Sequence, residues 1–215
     1  MNNQLKIVLV FFVGILPFLF NGLLNSQLLP NYIIIYWVFE FIFWIFLPFF
    51  VFIYSLRNNL IDFSIFGYFN TNKFVKEITF IVFVSIGFFL IYFISQKLSH
   101  IIFMENYFTL SFQYHDTIPK NQFLKLVVIT YHSISAGFVE EFYYRGLLGV
   151  SIKGKKYILI SSSFFSIVHW ENGIYTMFPA FIVGILAAWI YYKYKKLWPL
   201  IIGHSITDFI YYIIW

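Results

Sequence analysis

Seven apolar runs take up most of this chain, and each is close to the length a helix needs to cross a bilayer. About twenty helical residues span the hydrocarbon. The runs cover approximately Leu5–Leu24, Tyr32–Leu56, Phe74–Ile94, Phe123–Gly149, Tyr157–Trp170, Ile174–Tyr192 and Pro199–Trp215. They predict an all-α polytopic transmembrane bundle of about seven spans, in one integral membrane domain over 1–215. The first run has one lysine before its apolar stretch and no small-x-small cleavage site, so it reads as a retained helix and not a signal peptide. The fifth is short and is a full helix only if it lies or ends inside the bundle. No repeat divides the chain, and the longest connection, Ser95–Asn121, is expected to hold an interfacial segment.

Composition closes off other classes. Charged residues are 11% of the chain, where an average soluble domain has about 25%. That is too few to cover a water-facing surface, so a soluble domain, an acidic disordered chain and a nucleic-acid binder are excluded. The absence of Cys removes disulfides, thiolate metal sites and Cys nucleophiles together. An abundance of Phe, Tyr, Ile, Asn and Lys suggests an AT-rich coding sequence, hence a prokaryotic plasma membrane. Net charge is +5, but the basic residues sit in short loops. Lys6, Arg57, Lys73, Lys76, Lys153, Lys155, Lys156, Lys193, Lys195 and Lys196 fall on one side, against Lys97, Lys120 and Lys125. The positive-inside rule then places the N-terminus in the cytoplasm and the C-terminus outside.

Ionisable side chains within spans are costly and are functional candidates when they face the bundle interior. Here they are Glu40, His132, Glu140, Glu141, Arg145, His169, His204 and Asp208. Glu141 and Arg145 are four apart and share a helix face, so they pair. Glu140 is turned about 100° from Glu141, which leaves it free for chemistry. His204 and Asp208 are again four apart. At 1.5 Å rise per residue, Glu140, His169 and His204 lie roughly 13, 18 and 8 Å from the cytoplasmic ends of their spans, so they can meet. His132, about 12 Å further out, reads as a packing residue, and Glu40 as a supporting residue behind the site. His100 and His115 read as solvated loop residues. Gly184, Ala187 and Ala188 permit close helix contact.

Glu140-Glu141-x-x-x-Arg145, Phe165-x-x-x-His169 and His204-x-x-x-Asp208, in that order on separate spans, resemble the CPBP family. That family comprises the type II CAAX prenyl endopeptidases and the Abi-type bacteriocin-immunity proteins. The run from Phe181 through Gly184 and Trp198 to Asp208 also resembles its usual ending. The resemblance covers about 128–208, the catalytic core it implies, built by the last four spans. It implies an intramembrane endopeptidase acting on a membrane-associated peptide or protein. Glu140 and His169 would activate water, His204 and Asp208 would hold the transition state, and Glu141, Arg145 and Phe165 would support them. Many members have Asn where this chain has Asp208. An ionised Asp208 would orient His204; a protonated one would donate a hydrogen bond as Asn does.

Peptide hydrolysis needs a nucleophile, a proton shuttle and oxyanion stabilisation. No Gly-x-Ser-x-Gly elbow and no Cys is present, so direct attack by water remains. Two versions stand open. Glu140, His169 and His204 could ligate a catalytic Zn²⁺, for which the family's metalloprotease label speaks. Alternatively, Glu140 with His169 activates water without a metal. The competing functions are a non-catalytic scaffold or immunity protein of the same fold and, less attractively without a repeat, a proton-coupled transporter. Membrane lipid and a peptide or protein substrate are the expected partners.

Overall fold

The computed structural model describes residues 2–20, 33–103 and 118–214. Among them every regular element is helical, with no strand. The helices are α1 (Asn3–Ile15), α2 (Ile33–Arg57), α3 (Phe74–Phe103), α4 (Gln122–Ser151), α5 (Lys156–Ile167), α6 (Ile174–Tyr194) and α7 (Trp198–Ile214). The stretches containing α2, α3, α4 and α6 are long and apolar enough to cross a membrane, whereas α1 and α5 are shorter apolar helices. The all-α bundle expected from the seven runs is what the chain forms.

Local chemistry explains where the helices end and bend. Helix α1 tightens into a 3-10 turn at Leu16–Leu19, because Pro17 has no N–H to continue the ladder. Helix α2 widens into a π turn at Ile42–Phe46, immediately before Pro48. A proline ring clashes with the carbonyl four residues back, and the wider turn relieves that clash. Between α2 and α3, Asp62 caps the 3-10 turn Phe63–Phe66 by accepting from Ser64 N at 2.7 Å. Hydrogen bonds from Ser64 hold this loop carboxylate below its ordinary range. Lys196, just before α7, pairs with Glu77 on α3.

Helix α3 runs nine residues past the expected end at Ile94, so Lys97 and His100 lie on helix and not in a loop. The polar stretch is accommodated because its serines have partners. Ser95 donates to Ile91 O at 2.6 Å, and Ser99 donates to Tyr175 O on α6 at 2.7 Å. His100 is half-buried, with its ring 5.4 Å from that of Tyr175. His115 and the expected interfacial segment at 104–117 lie outside the described residues, as do 21–24 of the first run.

The half of the bundle that carries the three motifs is α4, α5, α6 and α7, with α3 packed on α6 and α7. Two glycines set how closely its helices approach. At Gly184 a Cβ would lie 3.1 Å from Ser162 Cα, so α5 and α6 touch backbone to backbone, as the small residues at 184, 187 and 188 suggest. At Gly137 a Cβ would lie 2.2 Å from Ser205 Oγ and 2.8 Å from Ile201 O. Only a residue without a side chain fits there. That contact brings the middle of α4 against the first half of α7.

Candidate active site

One turn beyond Gly137, α4 changes its winding. Glu141–Leu147 form a π turn, and all seven residues are buried. Widened turns leave carbonyls in need of outside donors, and α5 supplies them. Ser161 Oγ donates to Tyr144 O at 2.8 Å, and Tyr157 OH donates to Arg145 O at 3.4 Å. No proline lies in α4 to cause it.

The two adjacent glutamates do not point apart as the sequence reading expects. Both reach His204. Glu141 Oε1 lies 2.8 Å from His204 Nδ1, and Glu140 Oε2 lies 3.6 Å from His204 Nε2. The physical reason is that α7 is seated so tightly at Gly137 that one imidazole fits between two carboxylates on neighbouring faces. Asp208 Oδ2 approaches the same Nε2 at 3.5 Å. The hydrogen bond that sets the tautomer of His204 is therefore the one it makes to Glu141, not to Asp208. An ionised carboxylate only accepts, so with Glu141 ionised the proton is on Nδ1 and Nε2 faces Glu140 and Asp208.

Behind this, Arg145 Nη1 pairs with the same Glu141 oxygen at 3.2 Å, the ion pair expected from the four-residue spacing. Arg145 is fully buried, and the Phe165 ring covers it, 4.4 Å from its Cζ. Phe165 is the hub of the site. Its ring centre is 5.1 Å from that of His169 and 6.1 Å from that of His204, so the two imidazoles flank one aromatic ring. His169 Nδ1 meets Phe165 O at 2.7 Å. A carbonyl can only accept, so Nδ1 carries the proton and Nε2 of the neutral ring keeps its lone pair. The structure thus gathers Glu140, Glu141, Arg145, Phe165, His169, His204 and Asp208 into one neighbourhood.

Exposure grades across the cluster. The Glu141 and Arg145 side chains are 1% and 0% exposed, whereas Glu140 and Asp208 retain 15% and 26%. The open side of His204 is therefore the Nε2 side. Helix α5 ends at Ile167, and His169 sits on the turn after it. Trp170 fastens that turn by donating its indole N–H to Leu19 O at 2.8 Å, at the end of the α1 segment. Sequence reasoning missed this strut, although a tryptophan beside a candidate histidine in a short span was the available signal.

Glu40 and His132 stand apart from this cluster. They pair with each other, Nδ1 to Oε1 at 3.4 Å, so Glu40 does not back the candidate site directly. Among the described residues, no group of three or more His, Cys, Asp or Glu side chains is placed to hold a metal ion. Both nitrogens of His204 already face carboxylates, and His169 Nδ1 is taken by a carbonyl.

Comparison with known proteins agrees with the three motifs. Residues 122–210 match the family model described as Type II CAAX prenyl endopeptidase Rce1-like. The match marks a likeness to that family over these residues. It covers α4 through most of α7, which includes every residue of the cluster. No curated protein and no solved structure matches the chain.

Proposed function

We propose that this chain is an intramembrane endopeptidase that hydrolyses a bond in a membrane-associated peptide or protein by water activated at Glu140 and His169. The observation that carries the reading is His204, held from behind by Glu141 and open toward Glu140 and Asp208. A water within hydrogen-bond reach of both Glu140 Oε2 and His204 Nε2 is compatible with their 3.6 Å separation, since it sits off the line joining them. Glu140 takes its proton as it attacks the scissile carbonyl. His169, whose Nε2 carries a lone pair, accepts that proton from Glu140 and passes it to the leaving amine. When doubly protonated, His204 keeps its Nδ1–H on Glu141 and faces the developing oxyanion through Nε2–H. Asp208 lies beside it and, when protonated, adds a second donor.

Arg145 and Phe165 act from behind. The guanidinium neutralises Glu141, and the ring keeps water from the pair. The core at 128–208 does the chemistry within a single domain, and the lysine bias supports an N-terminus in the cytoplasm of a prokaryotic cell.

The test uses the full chain, purified in nanodiscs, with a panel of prenylated and unprenylated membrane-anchored peptides. Products are read by mass spectrometry with and without chelator. Cleavage at one internal bond that survives chelation supports the side-chain mechanism. Cleavage abolished by chelator and restored by Zn²⁺ returns the metal version. Tight binding without a cut favours a scaffold or bacteriocin-immunity role.

A further inference from the structure

The proposed chemistry leaves Glu40, the most deeply buried of the acids outside it, unused. Glu40 on α2 has a side chain 1% exposed, and neither of its oxygens accepts a hydrogen bond among the described residues. Its near neighbour is Nδ1 of His132 on α4, 3.4 Å away and itself 6% exposed. The imidazole sits in an aromatic box. Trp37 stacks on it at 5.9 Å and 24°, Tyr131 lies at 5.2 Å, and Tyr212 of α7 lies at 6.3 Å. Ionisable side chains within hydrocarbon persist by pairing with one another.

Three observations give this pair a task. The first nine residues of α2, Ile33–Phe41, bury only Tyr36 and Glu40. The rest of that segment presents Ile33, Ile34, Ile35, Val38 and Phe41 outward. Glu40 is thus the acidic side chain through which this half-helix meets α4. Next, His132 precedes Glu140 by eight residues on the same helix, roughly 12 Å. Finally, Tyr212 in the box is one turn past Asp208 on α7. The pair and the candidate site therefore flank the same seam between α4 and α7.

We propose that Glu40 and His132 are positioning residues that seat the first half of α2 against the α4–α7 seam and so set how a substrate chain reaches Glu140 and His204. The kinetic part rests on the peptidase reading; the seating itself does not.

The chain contains no Cys, so single cysteines at Ile34 and Ile134, both outward-facing, carry spin labels without background. Distances between them are measured by pulsed EPR on the full chain in nanodiscs. The parent is compared with Glu40→Gln, His132→Gln and the exchange Glu40→His with His132→Glu. The expected result is one narrow distance in the parent, a shifted or broadened one in each single variant, and return toward the parent in the exchange. In cleavage assays each single variant raises KM roughly tenfold at near-constant kcat, the mark of lost binding geometry and intact chemistry. Two single variants guard against one failing to accumulate. Parent-like distances in either single variant overturn the seating. A fall in kcat at unchanged KM overturns the positioning role. A parent that cuts no peptide sinks the peptidase reading alone, because the distances still decide the seating.

Discussion

Two helices of this protein set a glutamate beside a histidine near a π turn, and the two sites differ in what surrounds the imidazole. At Glu40 the π turn has a local cause in Pro48, and the acid meets one histidine inside an aromatic box. At Glu140 and Glu141 no proline is present, and the turn is held by hydroxyls from α5. There the histidine meets three carboxylates, two of which are partly open. A closed pair can hold helices together. An imidazole fixed on one nitrogen and accessible on the other can also handle protons. Access and asymmetry separate the two sites, since both contain the same residue types.

The sharpest way to break that contrast is to neutralise each acid in turn. Glu141→Gln should lower kcat by up to about 10⁴-fold, the drop seen when a carboxylate-to-amide change misplaces a histidine tautomer. Glu40→Gln should leave kcat nearly unchanged. Equal loss of kcat in both variants, measured at matched abundance in nanodiscs, would erase the distinction between them.

Burial predicts a second difference, of stability. Arg145→Met strands Glu141, a side chain 1% exposed, and should cost about 3–5 kcal/mol. Thermal unfolding in detergent reads it, and a melting temperature equal to the parent's would show that the ion pair is incidental.

The smallest effect is expected at Asp208. Because Glu141 makes the Nδ1 bond and Asp208 is 26% exposed, Asp208→Asn alters a partly solvated pair worth about 1 kcal/mol or less. Activity should stay within roughly tenfold of the parent across neutral pH. A loss as deep as that of Glu141→Gln would return to Asp208 the orienting role that the four-residue spacing suggested.

Much of this was legible in the residues. Hydropathy gave seven helices, because apolar runs near twenty residues have few other uses. Glu141 with Arg145 was legible because both lie on one helix at a fixed spacing. The convergence of Glu140 and Glu141 on His204 was not, since it depends on the π turn and on the bare backbone at Gly137, a contact between segments about seventy residues apart. Pairing of Glu40 with His132 was hidden for the same reason: sequence spacing says nothing of which helices become neighbours. Beyond Ile94, helix α3 was obscured by Ser, Gln and Lys, whose polarity resembles a loop until Ser99 is seen to bond α6.

The central claim is that Glu140 is the base which activates water. The most direct measurement compares Glu140→Gln with the parent on the peptide bond that the parent cuts, at equal insertion and equal melting temperature. The rate should fall by about 10²–10⁴-fold, the usual contribution of a positioned general base. A Glu140→Gln protein that cuts the same bond at the parent's rate would contradict it.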